Sequence, residues 1–309
     1  MLTRADIVAA ADRIDRYIRR TPVLTLNPGD SGGDFTAFLK LESLQKVGVF
    51  KVRGAFNRIL SAPQVPAAGV IAASGGNHGL AVAYAAHTLG YPAEIFVPLV
   101  SSPVKQQKIR SYGAAIVVGG AYYADARQAC ELRAAETGAL MVYPYEQPEV
   151  IAGQGTLARE FDEQAPGLDT VLLAVGGGGL IAGAAAWFGK SVKVIGVEPI
   201  SIPTLYDAIQ SGQPVDVNVA GIAADSLGAR RIGDVAFEIL NGVVDRVLLV
   251  SDDTIKAAQH YLWENIRLVV EPGGATAFSA LGSGAYVPRP GERVGVVICG
   301  GNTDPASVA

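Results

Sequence analysis

Four consecutive glycines, Gly176, Gly177, Gly178 and Gly179, constrain this chain more than any other stretch. They follow Thr170-Val-Leu-Leu-Ala-Val175, a run of apolar and small residues that reads as a buried strand. Leu180 then opens an Ala-rich helix. Glycine lets the backbone turn sharply and lets a ligand approach it closely. The N-terminus of the following helix offers unpaired N–H groups and the positive end of a dipole, a setting that suits a phosphate.

Three readings of this turn compete. Gly177, Gly179 and Ala182 fit the spacing G-x-G-x-x-G/A, and Glu198 closes the next apolar run, 192–197, about where a dinucleotide-binding fold puts its ribose-binding acid. A single phosphate ester, the handle of pyridoxal phosphate, fits the turn equally well if the rest of that cofactor is held elsewhere. The third reading is a tight strand-to-helix turn with no ligand.

Composition narrows the choice of partners. The chain has 309 residues, enough to bury a large core in one or two domains. Only 17% are charged and the net charge is −4, so nothing provides the basic face that nucleic acid requires. No apolar run reaches the roughly 18 residues of a membrane span. The opening Met1-Leu-Thr-Arg-Ala-Asp6 lacks the basic-then-apolar start of a secretory signal, and a soluble cytoplasmic protein is expected. Cys130 and Cys299 lie far apart and are expected to stay reduced. The three histidines are too dispersed for a zinc site.

Residues 6–19 carry apolar positions at helical spacing and read as a surface helix. It ends before Thr21-Pro22, because proline disfavours helix in the residue ahead of it. Residues 36–42 alternate like a strand, and residues 47–55 lead into a helix expected to run through Leu60. From residue 69 the pattern becomes strand and helix in turn. Strands are expected at 70–73, 94–97, 115–118 and 140–143, with helices at 80–89, 104–112 and 124–137. After Pro148 a second run begins with a helix at 155–162, then the glycine turn and the strand leading to Glu198. A loop-rich stretch to residue 233, a strand at 247–250, a helix at 254–268 and a last strand at 294–298 complete it. Such alternation implies parallel sheets with helices on both faces.

Three sites carry candidate chemistry. Lys51 lies between Phe50 and Val52, and a lysine in apolar company has a depressed pKa that frees its amine for a Schiff base. An ordinary lysine with a packed stem and a solvated head has the same local sequence. Ser74-Gly-Gly-Asn-His-Gly79 follows a strand and opens a helix, so its N–H groups can hold a carboxylate and Asn77 adds an amide donor. An asparagine N-cap is the plainer alternative. Cys299-Gly-Gly-Asn302 puts a thiol where the backbone turns after the last strand, a common place for a merely buried cysteine.

Taken together and in order, these stretches resemble the fold-type II pyridoxal phosphate enzymes, in the branch of serine/threonine dehydratases and serine racemase. The markers are Thr21-Pro-Val-Leu24, Lys40-Leu-Glu-Ser-Leu-Gln45, Phe50-Lys-Val-Arg-Gly-Ala55, Ser74-Gly-Gly-Asn-His-Gly79, Gly153-Gln-Gly-Thr156, the glycine turn, Gly196-Val-Glu-Pro199, Glu271-Pro272 and Gly300-Gly-Asn302. The resemblance covers nearly the whole chain and turns the phosphate question against a dinucleotide. It implies two parallel-sheet α/β lobes of the tryptophan synthase β-subunit kind, with pyridoxal phosphate in the cleft between them. Residues 1–67 and 146–309 would form the larger lobe, and residues 68–145 a smaller, mobile one.

The same resemblance assigns roles. Lys51 resembles the Schiff-base lysine that later moves the α-proton, with Phe50 beside it. Gly176, Gly177, Gly178, Gly179 and Leu180 resemble the phosphate cup, and Asn77 the donor to the cofactor's phenolic oxygen. Ser74, Gly75, Gly76, Asn77 and His78 resemble the loop that holds the substrate carboxylate. Cys299 falls where the family faces the pyridine nitrogen with a serine or cysteine. A thiol there makes the ring a weaker electron sink than a carboxylate would. That favours α,β-elimination of water from L-threonine or L-serine, giving a 2-oxo acid and ammonia.

Departures from the pattern bear on specificity. Val49 replaces the usual serine before Phe50-Lys51, and Gly75 stands where racemases carry a serine on the face opposite the lysine. The latter argues for elimination unless Ser74 or His78 substitutes. Racemisation, or dehydration of phenylserine or hydroxyaspartate, is the alternative. A divalent cation would use Glu198 and Asp225, but Gly221 stands where an acid is often found, which counts against a metal requirement. The family precedent is a homodimer.

Overall fold

The structure, a computed structural model, describes residues 2–30, 34–101 and 103–308. Ten strands run in chain order: β1 Val23–Leu26, β2 Thr36–Leu41, β3 Val70–Ala73, β4 Ala93–Val97, β5 Ala115–Val118, β6 Leu140–Met141, β7 Thr170–Ala174, β8 Lys193–Pro199, β9 Arg246–Val250 and β10 Arg293–Ile298. They form two sheets. One has six strands in the order β1-β2-β10-β7-β8-β9, and the other has four in the order β5-β4-β3-β6. The four-stranded sheet is parallel throughout. The larger sheet is parallel except at β1, which pairs antiparallel with β2. The molecule is thus the α/β protein with two parallel-sheet regions that the alternation predicts, with one antiparallel edge strand it did not.

Strands buried on both faces read as continuous apolar runs. β7 is buried at every position, and so is β3. The helices that cover them include α1 Arg4–Ile14, α2 Val52–Ser61, α3 Asn77–Leu89, α4 Pro103–Arg110, α5 Tyr123–Thr137, α6 Pro148–Gln164 and α7 Gly179–Phe188. Then come α8 Thr204–Ser211, α9 Ala224–Leu227, α10 Asp234–Leu240, α11 Asp252–Ile266 and α12 Pro272–Gly282.

Helices α2, α6 and α7 approach so closely that only glycine fits at their crossings. A Cβ on Gly153 would stand 2.6 Å from Arg53 O, and one on Gly183 would stand 2.5 Å from Gly155 N. This stack fixes the start of α2, which follows Lys51, against the start of α7, which follows the glycine turn. Beneath it lies a buried ion cluster. Arg53 pairs with Glu42 at 2.7 Å and Glu160 at 3.0 Å, and Lys40 pairs with Glu160. One core cluster packs the large sheet. A second joins Val52, Ala55, Phe56 and Ile59 of α2 to Val70, Ala72, Ile95 and Val97 of the small sheet.

Several elements depart from expectation. The first helix stops at Ile14 and continues as a 3-10 turn, Asp15–Tyr17. α6 begins at Pro148 rather than at residue 155, with proline at its first position, where the missing N–H costs nothing. The stretch to residue 233 expected as loop holds α8 and α9, and neither α10 nor α12 was anticipated.

Candidate active site

Parallel strands deliver their functional loops at their C-terminal ends. β7 leads into the glycine turn, β3 into the asparagine turn and β10 into Cys299–Asn302. Lys51 reaches the same region from another direction. Val49 bridges Gly300, Phe50 N–H donates to Cys299 O at 3.2 Å, and Gly301 N–H donates to Gly48 O at 2.9 Å. Two loops far apart in sequence are thereby stitched into a short ribbon.

Lys51 is half-buried, and its Nζ donates to Pro144 O at 3.0 Å, 5.2 Å from the Phe50 ring centre. Desolvation lowers its pKa to about 8, against weaker opposing pulls from Cys299 and Glu271. The ordinary solvated lysine is therefore not what the fold builds. Cys299 is 3% exposed, and its Sγ donates to Gly273 O at 3.4 Å. Burial pushes its thiol far up, so it is a neutral group at any ordinary pH.

In the glycine turn the carbonyls and the N–H groups have opposite fates. Gly176 O accepts from Thr204 Oγ1 at 2.6 Å, Gly177 O from Gly233 N at 3.1 Å and Gly178 O from Ala182 N at 2.9 Å. The N–H groups of Gly176, Gly177, Gly178, Gly179 and Leu180 find no acceptor among the described residues. The turn is a crown of donors at a helix N-terminus, as an anion requires. Gly178 has φ +89°, and a Cβ on it would stand 2.9 Å from Ala236 Cβ. The Tyr145 ring lies against Gly177 so closely that any side chain there would collide with it.

Glu198 faces elsewhere. Its Oε1 accepts from Leu205 N at 2.8 Å and lies 2.8 Å from Thr204 Oγ1, and its Oε2 accepts from Tyr206 N at 2.9 Å. It is a cap for α8, fully engaged by protein donors, with burial raising its pKa to about 7. Glu198 is therefore not free to bind the ribose of a dinucleotide. Asp225, the other residue considered for a cation, is exposed and paired with Lys105. Among the described residues no three His, Cys, Asp or Glu side chains gather into a metal-binding group.

The asparagine turn offers a second set of donors. The N–H groups of Gly75, Asn77 and His78 also lack acceptors among the described residues, while Gly76 N–H donates to Ser74 Oγ at 3.2 Å. His78 is buried, with Nε2 donating to Val142 O at 2.8 Å, and desolvation lowers its pKa to about 3. It is a neutral structural imidazole rather than a proton carrier. Asn77 Nδ2 donates to Glu271 Oε1 at 2.7 Å, and its Oδ1 accepts from Asn302 Nδ2 at 2.8 Å. Glu271 is 3% exposed, and burial raises its carboxyl to about 7.

Sequence reasoning marked Glu271 and Asn302 only as parts of motifs and gave them no role. It missed Tyr145 and Ser101. Gly75 has no room for a side chain because the Ser101 hydroxyl occupies the place its Cβ would take. No local pattern announces either contact.

A depressed amine and two donor crowns, gathered beside a buried thiol, suit a phosphorylated aldehyde cofactor. Residues 14–300 match the sequence profile of the pyridoxal-phosphate dependent enzymes, and the chain belongs to that family. It is 36% identical over 100% of its length to an L-threonine ammonia-lyase from Geobacter sulfurreducens, covering 78% of that protein. It is 37% identical to a phenylserine dehydratase from Ralstonia pickettii, across 96% of this chain and 92% of that one. Its backbone superposes on the structure of maize serine racemase with a TM-score of 0.92 at 31% identity, covering 99% of this chain and 95% of the other.

The residues present fit pyridoxal phosphate. Lys51 offers the amine, the glycine turn a phosphate seat made only of donors, and Asn77 an N–H beyond the one held by Glu271.

Proposed function

We propose that the protein is a pyridoxal phosphate-dependent ammonia-lyase that eliminates water from L-threonine or L-serine, giving a 2-oxo acid and ammonia. The observation that carries this is the hydrogen bond from Phe50 N–H to Cys299 O, which sets Lys51, its amine lowered by burial, beside a thiol that burial keeps neutral. Bound pyridoxal phosphate supplies an electron sink conjugated to the substrate's α-carbon. Lys51 takes the α-proton. The N–H groups of Gly75, Asn77 and His78 hold the substrate carboxylate, and Asn77 turns its second N–H to the phenolic oxygen. The five N–H groups from Gly176 onward hold the phosphate. A neutral Cys299 facing the pyridine nitrogen would have to turn its one S–H away from Gly273 O to donate there, and it could not balance a full positive charge, so negative charge would be better drained by departure of a β-hydroxyl than stored.

Residues 68–145 act as the smaller lobe, which closes over the substrate bound at the asparagine turn, and two copies of the chain assemble as a dimer. Both cysteines are free and buried, which suits the reducing cytoplasm. Among relatives of nearly equal identity the named substrates differ, so similarity does not rank threonine over phenylserine.

Racemisation is the second reading, and one observation favours it. It needs a proton donor on the face opposite Lys51. His78 is neutral and tied to Val142, but the Ser101 hydroxyl fills the space that a side chain on Gly75 would take.

The test is the visible spectrum of the purified protein before and after L-threonine, with 2-oxo acid and chiral product assays. A cofactor band that is lost in Lys51→Ala, with 2-oxobutanoate release, is the expected result. A coloured protein that yields D-amino acid without oxo acid moves the reaction to racemisation, and Ser101→Ala would then abolish it. A colourless protein that cannot be reconstituted overturns the reading.

A further inference from the structure

The asparagine turn is wired to a lysine that the mechanism above does not use. Lys108, an exposed residue of α4, donates from Nζ to Asn302 Oδ1 at 2.9 Å. Asn302 Nδ2 then donates to Val47 O at 2.9 Å and to Asn77 Oδ1 at 2.8 Å. Asn77 Nδ2 in turn donates to Glu271 Oε1 at 2.7 Å. The four side chains come from four separate parts of the sequence.

The direction of this chain follows from the groups at its two ends. An ammonium has donors and no acceptor, whereas each amide has an accepting end and a donating end. With Lys108 in place, the oxygen of Asn302 must face it, which turns the nitrogen of Asn302 to Val47 and Asn77. The oxygen of Asn77 is thereby filled, and its nitrogen must face Glu271. Reversing either amide would set donor against donor or acceptor against acceptor. One N–H of Asn77 is left over, on a side chain whose orientation is fixed.

We propose that Lys108 is a positioning residue for this site: through Asn302 it holds the Asn77 amide so that its remaining N–H faces the cofactor. The proposal rests on the cofactor role given to Asn77 above. In this role Lys108 acts through Asn302, to which its Nζ donates. Its helix also carries Lys105, one turn earlier on the same face, which pairs with Asp225 and so ties α4 down without touching either amide. That makes Lys105 the control both for helix docking and for the electrostatic pull that the two lysines share on Glu271.

The experiment compares Lys108→Met, Lys108→Arg and Lys105→Met with the parent protein, each reconstituted with pyridoxal phosphate. The position of the bound cofactor's visible band, the cofactor dissociation constant, and kcat and KM for L-threonine are measured. Lys108→Met is expected to shift the band, to weaken cofactor binding about fivefold to tenfold and to lower kcat by a similar factor, as the loss of one oriented hydrogen bond implies. Lys108→Arg restores the band and the affinity because it keeps a donor. Lys105→Met leaves the band where it was. A Lys108→Met protein with the parental band and affinity overturns the proposal and leaves the cofactor assignment standing. Equal band shifts in Lys108→Met and Lys105→Met also overturn it, since both lysines would then only dock the helix. A parent protein that binds no cofactor overturns the functional reading and this inference with it.

Discussion

At the scale of single residues, Lys51 shows how burial sets chemistry. The charged form of an amine is the one that loses water on burial, so its pKa falls from 10.5 to about 8. The sign for stability follows. Between 10.5 and about 8 the unfolded chain binds a proton that the folded one refuses, so this residue opposes folding increasingly as pH falls through that window. The sign for function is the reverse, because only the free amine attacks an aldehyde. The rate at which apoprotein captures pyridoxal phosphate is expected to rise about tenfold per pH unit up to about 8 and then to level. Stopped-flow absorbance from about pH 6 to about pH 10 checks this, and a rise continuing to about pH 10 would mean an unperturbed lysine. Lys51 was legible in the sequence because its apolar neighbours are adjacent to it. The partners of Asn77 were not, since Glu271 is 194 positions away and Asn302 is 225.

At the scale of elements, the glycine turn joins a wholly buried strand to a wholly buried helix start, and its backbone does the work that side chains do elsewhere. Gly178→Ala would force a side chain into φ +89° and against Ala236. It is expected to lower stability by about 1–3 kcal/mol and to weaken cofactor retention together, because the strain moves the same N–H groups that are proposed to hold the phosphate. Urea unfolding and equilibrium dialysis measure the two; a stable variant with unchanged retention would place the phosphate elsewhere. The strands around this turn were readable because they are uninterrupted apolar runs bounded by glycine. α12 was not, for a related reason: it begins Pro272-Gly-Gly and is buried from Gly273 to Ala280. A helix apolar all round has no polar face, and without one the helical period is invisible. β1 is only four residues long, too short for an alternating pattern to stand out in the sequence.

At the scale of the whole molecule, the ion cluster under α2 links segments from the first and third quarters of the chain. Thr21 donates to Glu42, Glu42 and Glu160 hold Arg53, and Lys40 donates to Glu160. Removing one partner of such a buried set leaves a charge without its counterpart. Arg53→Met is expected to cost about 3–5 kcal/mol in denaturant unfolding and to loosen the packing that follows Lys51. A loss below about 1 kcal/mol would show that water reaches the cluster.

Sequence alone determined the α/β alternation, the two glycine-bounded turns and the lysine, because each depends on near neighbours: burial makes strands apolar, and sharp turns demand glycine. It also carried the resemblance that points to the cofactor. Tertiary structure decided what those residues face. It turned Glu198 to cap α8 rather than bind a ribose, held His78 neutral against Val142, and brought Lys108, Asn302, Asn77 and Glu271 into one line. Those outcomes depend on which groups lose their water to which distant partners, and no local pattern in the chain encodes that.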